Sequence, residues 1–267
     1  MVPAVANWIQ AVSGQNMTKV KILTDGSMRQ VVLARGEKRN ALDAEMLAQL
    51  TEAFADQPAP QDRVIVLRAE GTVFCAGLDL RERGRAAIGS SAIETMLHAI
   101  EHYPLPVVAI VHGDAIAGGN ELALHCDFVI ASENARFGMS LAKIGLAPSW
   151  FLAKKLLEVA GPVGAREMLL LGDLLPARRM AELGLIYRAV PPEALEATAQ
   201  DVISRLAANS PLSLKAMKAL LVRAMAFRDN IEHADIDALV AHASQSADAR
   251  EGINAMRERR SPRFEGR

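Results

Sequence analysis

An α/β fold is predicted from three features of this sequence: compact apolar runs rich in β-branched residues, intervening segments whose apolar residues recur at helical spacing, and glycine-bearing turns where the two meet. After an unpatterned lead of about 15 residues, the stretches 20–23 and 30–33 are β-prone and separated by Thr24-Asp25-Gly26-Ser27, a turn composition, so a hairpin is expected. Leu42, Met46, Leu47, Leu50 and Phe54 then fall at helical spacing, and Val64-Ile65-Val66-Leu67 is a buried-strand run. A helix over 93–100 is broken by Pro104-Leu105-Pro106 before the apolar strand 107–111. His112-Gly113 closes that strand, and Gly118-Gly119 opens the next helix, which runs through Glu121 to Leu124 ahead of a strand at 128–131. Strand and helix alternate as in a sheet with right-handed crossovers. From Pro148 onward helical spacing dominates, with Pro191-Pro192 and Ser210-Pro211 as punctuation. The expected division is a mixed core, 16–192, and a helical C-terminal region, 193–267, too thin to own an independent core.

With 267 residues, 51% of them hydrophobic, the chain can bury one large core. The 30 basic and 31 acidic residues leave a formal charge of −1, so no global field draws nucleic acid or anionic lipid, and neither is expected as a partner. Cys75 and Cys126 lie in apolar stretches outside any Cys-x-x-Cys or Cys/His ligand spacing, which points to a reducing compartment and no structural zinc. The N-terminus has no cationic start before an apolar run, and no apolar segment approaches membrane-spanning length, so a cytoplasmic location is expected. The tripeptide Asn16-Met17-Thr18 would matter only in a secreted chain.

Two glycine-containing turns that follow buried strands carry the chemistry. In Phe74-Cys75-Ala76-Gly77-Leu78-Asp79-Leu80, Gly77 allows a sharp turn that leaves the following N–H free to face a ligand. In the second, Gly118 and Gly119 stand at a helix start, where unpaired N–H groups favour a developing negative charge. Either turn alone is most often plain structure. Two of them on neighbouring strands can form an oxyanion hole.

Taken together and in this order, the turns resemble those of the crotonase family of enoyl-CoA hydratases and isomerases. The stretch 74–80 matches its first oxyanion segment, and Ala117-Gly118-Gly119-Asn120-Glu121-Leu122 its second. Further matches are Arg35-Gly36-Glu37-Lys38-Arg39-Asn40-Ala41-Leu42, with Gly36 where a proline is usual, then Pro106-Val107-Val108-Ala109, Cys126-Asp127, Phe137-Gly138, Gly145-Leu146-Ala147-Pro148, Ala165-Arg166-Glu167, Gly184-Leu185-Ile186 and Arg260-Ser261-Pro262-Arg263-Phe264. About 230 residues are covered. The resemblance implies a crotonase-like spiral of ββα units, with a C-terminal helical region that helps to build a homotrimer or a dimer of trimers. It implies an acyl-CoA substrate whose thioester carbonyl accepts from the N–H groups of Leu78 and Gly118, with Ala76 and Leu80 flanking the adenine. Gly77, Asp79, Gly119, Leu141 and Trp150 belong to the same substrate-binding set, and no cofactor beyond the CoA of the substrate is implied.

Glu121 follows the glycine pair closely enough for its carboxylate to reach the acyl carbons beside a polarised carbonyl, although a first-turn glutamate is also favoured by the helix dipole alone. In hydratases of the family this position holds or activates water. Their second glutamate falls here on Leu141, so the resemblance implies hydration with one acid lost. Ser140 or a water could take part of its role, and Glu133 and Glu158 stand far along the chain. A double-bond shift, which one carboxylate can carry out, is the alternative, with decarboxylation and thioester hydrolysis also open. A member that only binds CoA or RNA is a third class, disfavoured by the neutral charge and the retained Glu121.

Lys38, Arg39 and Arg81 can contact CoA phosphates or simply face solvent. The basic residues Arg257, Arg259, Arg260 and Arg263 can reach CoA or balance acidic helices. Trp150 and Phe151 either fill the core or narrow the acyl pocket. His98 and His102 have metal-ligand spacing without an evident third ligand. Ser140, Ser149, His112 and His125 are unaccompanied by a Gly-x-Ser-x-Gly elbow.

Overall fold

A computed structural model describes residues 19–55, 57–80 and 90–267; Arg81, the N-terminal lead and Asn16-Met17-Thr18 lie outside them. The expected hairpin is β1 (Val20–Asp25) and β2 (Met28–Leu33), antiparallel, turning where Gly26 takes a φ of +58°. Helix α1 (Ala44–Ala55) buries Met46, Leu47, Leu50 and Phe54, the residues whose spacing announced it. Then come β3 (Val64–Ala69), α2 (Ser90–Glu101), β4 (Val107–Val111), β5 (Ala115–Ile116) and α3 (Gly118–Leu124). These are followed by β6 (Phe128–Ser132), β7 (Arg136–Gly138), α4 (Trp150–Arg166), β8 (Leu175–Pro176), α5 (Ala177–Glu182) and β9 (Arg188–Val190). Helices α6 (Leu195–Ala207), α7 (Pro211–Met225), α8 (Ala234–Gln245) and α9 (Ala247–Glu258) complete the order.

Six strands form one sheet in the order β1-β2-β3-β4-β6-β9, parallel from β2 onward, and β5-β7-β8 form a second, smaller sheet. The chain therefore steps repeatedly from a long strand in the first sheet to a short strand in the second and then into a helix. That is the ββα progression of the expected spiral. The short strands were not legible in advance, because two or three residues carry no periodicity.

Strand alternation sorts the core. Ile65 and Leu67 of β3 join the main cluster with Leu33, Leu50, Phe74 and Met96, while Val64 and Val66 face the other way. There, with Val108, Ile110 and Ile130, they meet Leu195, Ala199, Val202, Ile203 and Leu206 of α6. Each Val, Leu or Ile among them contributes roughly 1.5–3 kcal/mol when fully buried. So α6, assigned by spacing to a thin appendage, closes the second face of the sheet, and packing does not break at 192/193.

Helix α7 is tied down differently. Lys218, only 8% exposed, donates to the Asp127 carboxylate at 2.7 Å and lies 3.2 Å from the Leu105 carbonyl and 3.4 Å from that of Ile100. The same Asp127 oxygen accepts from the N–H of Val107 at 2.7 Å, fixing the start of β4. Removing one member of such a pair strands the other. Lys218→Met is expected to lower unfolding stability by about 2–3 kcal/mol in urea titrations, and a loss near zero would reduce the lysine to surface cover.

Candidate active site

The first glycine turn is laid against β5. Cys75 pairs in parallel with Ala115; its N–H donates to the Asp114 carbonyl at 3.2 Å, and its own carbonyl accepts from Ile116 at 2.9 Å. Two residues on, Leu78 bridges Leu42: the Gly77 carbonyl accepts from Leu42, and Asp79 donates to the Leu42 carbonyl, both at 2.8 Å. In this bridge Leu42 makes both bonds, with the residues that flank Leu78, so the N–H of Leu78 itself points away from Leu42.

On that side stands the start of α3. A Cβ on Gly77, whose φ is +82°, would lie 2.8 Å from the Ile116 carbonyl and 3.1 Å from the Gly118 nitrogen. A Cβ on Gly119 would lie 2.2 Å from the Cys75 carbonyl, closer than any side chain tolerates. The two turns therefore touch through their backbones. Gly118 is the first residue of α3, so its N–H has no partner within the helix. Ala117, before it, holds the uncommon φ of 49° and ψ of −114° and donates to the Gly138 carbonyl at 2.7 Å. That bond ties α3 to β7 and to the segment carrying Leu141.

Arg35 braces the first turn. Its guanidinium donates to the Ala41 carbonyl at 2.7 Å and lies 3.1 Å from Asp43 and 3.2 Å from Asp79. The Asp79 carboxylate, offered by the sequence as a CoA contact, is buried and engaged from inside the protein. Lys38 and Arg39 are exposed beside this turn, and the Arg39 carbonyl accepts from Ala76 at 3.0 Å. Ala76 and Leu80 are half-buried, and the Leu80 carbonyl accepts from Arg257 of α9 at 3.0 Å. Arg260, by contrast, balances Glu251 and Glu258.

Glu121 stands one turn into α3 and is wholly buried. Its Oε1 lies 3.4 Å from the Asn120 amide nitrogen, while its Oε2 has no hydrogen-bond partner. Burial pushes its pKa up to about 8, against smaller opposing effects of the Asn120 amide and of Lys155. Lys155 is itself held by Glu101 at 2.6 Å. Four residues after Glu121, His125 donates from Nδ1 to the Glu121 carbonyl at 2.8 Å and stacks on Phe151 at 5.3 Å.

Phe151 and Trp150 line a cavity of about 880 Å³ between α2, α4, α7 and α8, together with Glu101, Glu158 and His233. Phe151 also packs against the main core, so it meets both descriptions the sequence left open. Trp150 stacks on His233 at 4.9 Å, linking the core to the C-terminal helices. His98 and His102 stack on each other at 3.8 Å along the same cavity, and among the described residues no group of three His, Cys, Asp or Glu that could hold a metal is found. Leu141 is half-buried against the main core in a short 3-10 turn, Ser140–Ile144. Glu133 pairs with Arg178 at 2.9 Å, and His112 lies 2.9 Å from the Gly71 carbonyl. Sequence reasoning missed Lys155 and named Arg35 only within a matching stretch, since their partners are distant in the chain; it named His125 only as a hydrolase candidate, although its spacing of four from Glu121 was readable.

Two sheets built by a ββα progression, with two glycine turns in backbone contact, define the crotonase class of fold. The chain belongs to the enoyl-CoA hydratase/isomerase family, whose model matches residues 24–267. It is 33% identical over 259 residues to an enoyl-CoA isomerase/hydratase of Mycosarcoma maydis, covering 89% of this chain and 92% of that one. It is 33% identical over 254 residues to 1,2-epoxyphenylacetyl-CoA isomerase of Escherichia coli, covering 89% and 94%. A solved structure of methylmalonyl-CoA decarboxylase in complex with 2-nitronate-propionyl-CoA superposes with a TM-score of 0.87 at 25% identity, covering 94% of this chain and 100% of that one.

The backbone at Ala117 is a place where a side chain costs more than it contributes. Ala117→Gly is expected to raise stability by about 1 kcal/mol, since relief of an unfavourable φ outweighs the added freedom of the unfolded chain. A lower midpoint in urea would show that the Ala117 methyl is needed for packing.

Proposed function

We propose that this protein moves a proton on an unsaturated acyl-CoA thioester, with Glu121 as its single acid and base and the N–H groups of Leu78 and Gly118 holding the enolate oxygen. The observation that carries the reading is a wholly buried carboxyl group, Glu121, beside two touching turns, the other buried carboxylate there, Asp79, being engaged by Arg35; the family resemblance puts Leu141 where hydratases place a second acid. A carbanion next to a thioester is too basic to form until its charge moves onto oxygen, and removing one preorganised donor from such a site typically costs about 3–4 kcal/mol. The two N–H groups are fixed before substrate arrives, because glycine contacts on both turns leave them no slack.

With a pKa pushed up to about 8, Glu121 can both accept and return a proton near neutral pH. A double-bond shift needs one group that takes a proton from one carbon and delivers it to another, which suits a site with a single carboxyl. Hydration is the second reading, favoured by the isomerase/hydratase relative; there Glu121 would take a proton from water and return it to the α carbon. Lys38 and Arg39, exposed beside the first turn, would meet CoA phosphates, and Arg81, outside the described residues, remains a candidate from the sequence alone. Ala76 and Leu80 would flank the adenine, and Trp150 and Phe151 would bound the acyl group. Outward apolar residues Leu212, Leu220 and Leu221 of α7 and Leu239 of α8 support association into a trimer or a dimer of trimers. The reaction calls for no cofactor beyond the CoA of the substrate.

Ultraviolet absorbance distinguishes the two reactions. A 3-enoyl-CoA should gain the conjugated thioester band, whereas hydration of a 2-enoyl-CoA would remove it; no change with either, over a panel of acyl chains, would sink the reading. Because the base form appears as pH rises through about 8, kcat/KM should climb about tenfold per unit below that value and level off above it. Glu121→Gln should lose about 10³-fold in turnover, and the pH limb with it, while keeping CoA binding. Near-wild-type activity in that variant would remove Glu121 from the mechanism.

A further inference from the structure

The ring of His125 has no role in the proton transfer just described, yet it is buried against the group that performs it. His125 is 3% exposed and follows Glu121 by one helical turn on α3. Its Nδ1–H is bound to the Glu121 backbone carbonyl at 2.8 Å, and the same nitrogen lies 3.9 Å from the free carboxyl oxygen of Glu121. The other face of the arrangement is closed by Phe151, whose ring lies 5.3 Å away and inclined by 16°. The Nε2 atom has no hydrogen-bond partner. A purely apolar residue would fill the space without leaving a buried acceptor unpaired, so packing alone does not account for a histidine here. Its donor does: Nδ1 locks the ring onto the backbone of the residue whose carboxyl it abuts.

We propose that His125 is the positioning residue of Glu121, a neutral wall pinned between its backbone and Phe151 that keeps the carboxyl dry and fixed in place. This rests on the reading of Glu121 as the proton carrier. The wall is neutral because burial drives the pKa of His125 down to about 3, with Lys155 acting in the same direction and Glu101 against it. The charged groups that bear on the pair come from both flanking helices. From α4 these are Lys155, which bears on both residues, and Lys154, which bears on His125; from α2 it is Glu101. Lys155 is occupied by Glu101 at 2.6 Å, and Lys154 is engaged by Asp229. On α3 itself the one neighbour of the carboxyl that donates is the Asn120 amide. The carboxyl thus faces an uncharged ring, an amide and a distant, already paired ammonium, a setting that favours its neutral form until the pH approaches the range in which it must cycle.

Shortening the ring opens the wall to water, which solvates the carboxylate and lowers its ionisation midpoint. The measurement is the infrared carbonyl band of a protonated carboxylic acid, titrated against pH in the free protein with Glu121→Gln subtracted as blank. Wild type should show a band that disappears near pH 8. His125→Ala should shift the midpoint down by roughly one unit or more. His125→Asn, which keeps a donor for the Glu121 carbonyl and so protects the helix, should do the same. In an active preparation the pH limb of kcat/KM should move by the same amount, with kcat falling more than KM rises. Folded variants that titrate like wild type would overturn the proposal. A protein inert toward every enoyl-CoA would overturn the reaction assigned above, while the infrared titration would still decide the role of His125.

Discussion

The backbone contact between the turn at Gly77 and the start of α3 is the constraint on which the rest of the site depends. Gly119 abuts the Cys75 carbonyl and Gly77 abuts Ile116 and Gly118, at separations where a Cβ would overlap backbone. Because the contact is made largely by main chain, the segments carrying Leu78 and Gly118, 40 residues apart, are held against each other. Neither turn could hold itself. The first is hung between Leu42 and Ala115 by isolated bridges and braced by Arg35, and the second is the end of a two-residue strand. The ββα progression delivers β5 to the edge of the small sheet, where these meet.

Burial then assigns the chemistry. Helix α3 is only seven residues long, too short to be stable by itself, and all seven are buried. Its polar members are therefore held in place by tertiary packing, and the carboxyl of Glu121 lacks the solvent that would stabilise its charge. Exposed pairs such as Arg136 with Asp114 and Arg260 with Glu251 are more numerous but screened by water, and such pairs add at most about 1 kcal/mol each. The strongly perturbed electrostatics lie among Asn120, Glu121, His125, Glu101 and Lys155, where burial is deep and each partner is specific.

The C-terminal helices serve two ends at once. Helix α6 completes the large sheet, Lys218 of α7 anchors the entry to β4, and His233 stacks on Trp150 in the lining of the cavity between α2, α4, α7 and α8. The region that looked least able to fold alone thus supplies both a face of the core and a wall of the cavity.

By itself the sequence determined the elements with enough length to show a period: the hairpin, α1, the parallel strands at β3, β4 and β6, and the glycine turns with Glu121 behind them. Local chemistry sufficed there, since a run of β-branched residues, a helical face or a glycine at positive φ is decided within a few neighbours. What only the tertiary structure decided depends on residues far apart in the chain. Examples are Asp79 turned inward to Arg35, Trp150 and Phe151 on a cavity wall, and α6 on the sheet. The perturbed acid is the clearest case: the sequence places a glutamate after two glycines, but its pKa is raised by burial, and that burial depends on α2 and α4 packing against α3.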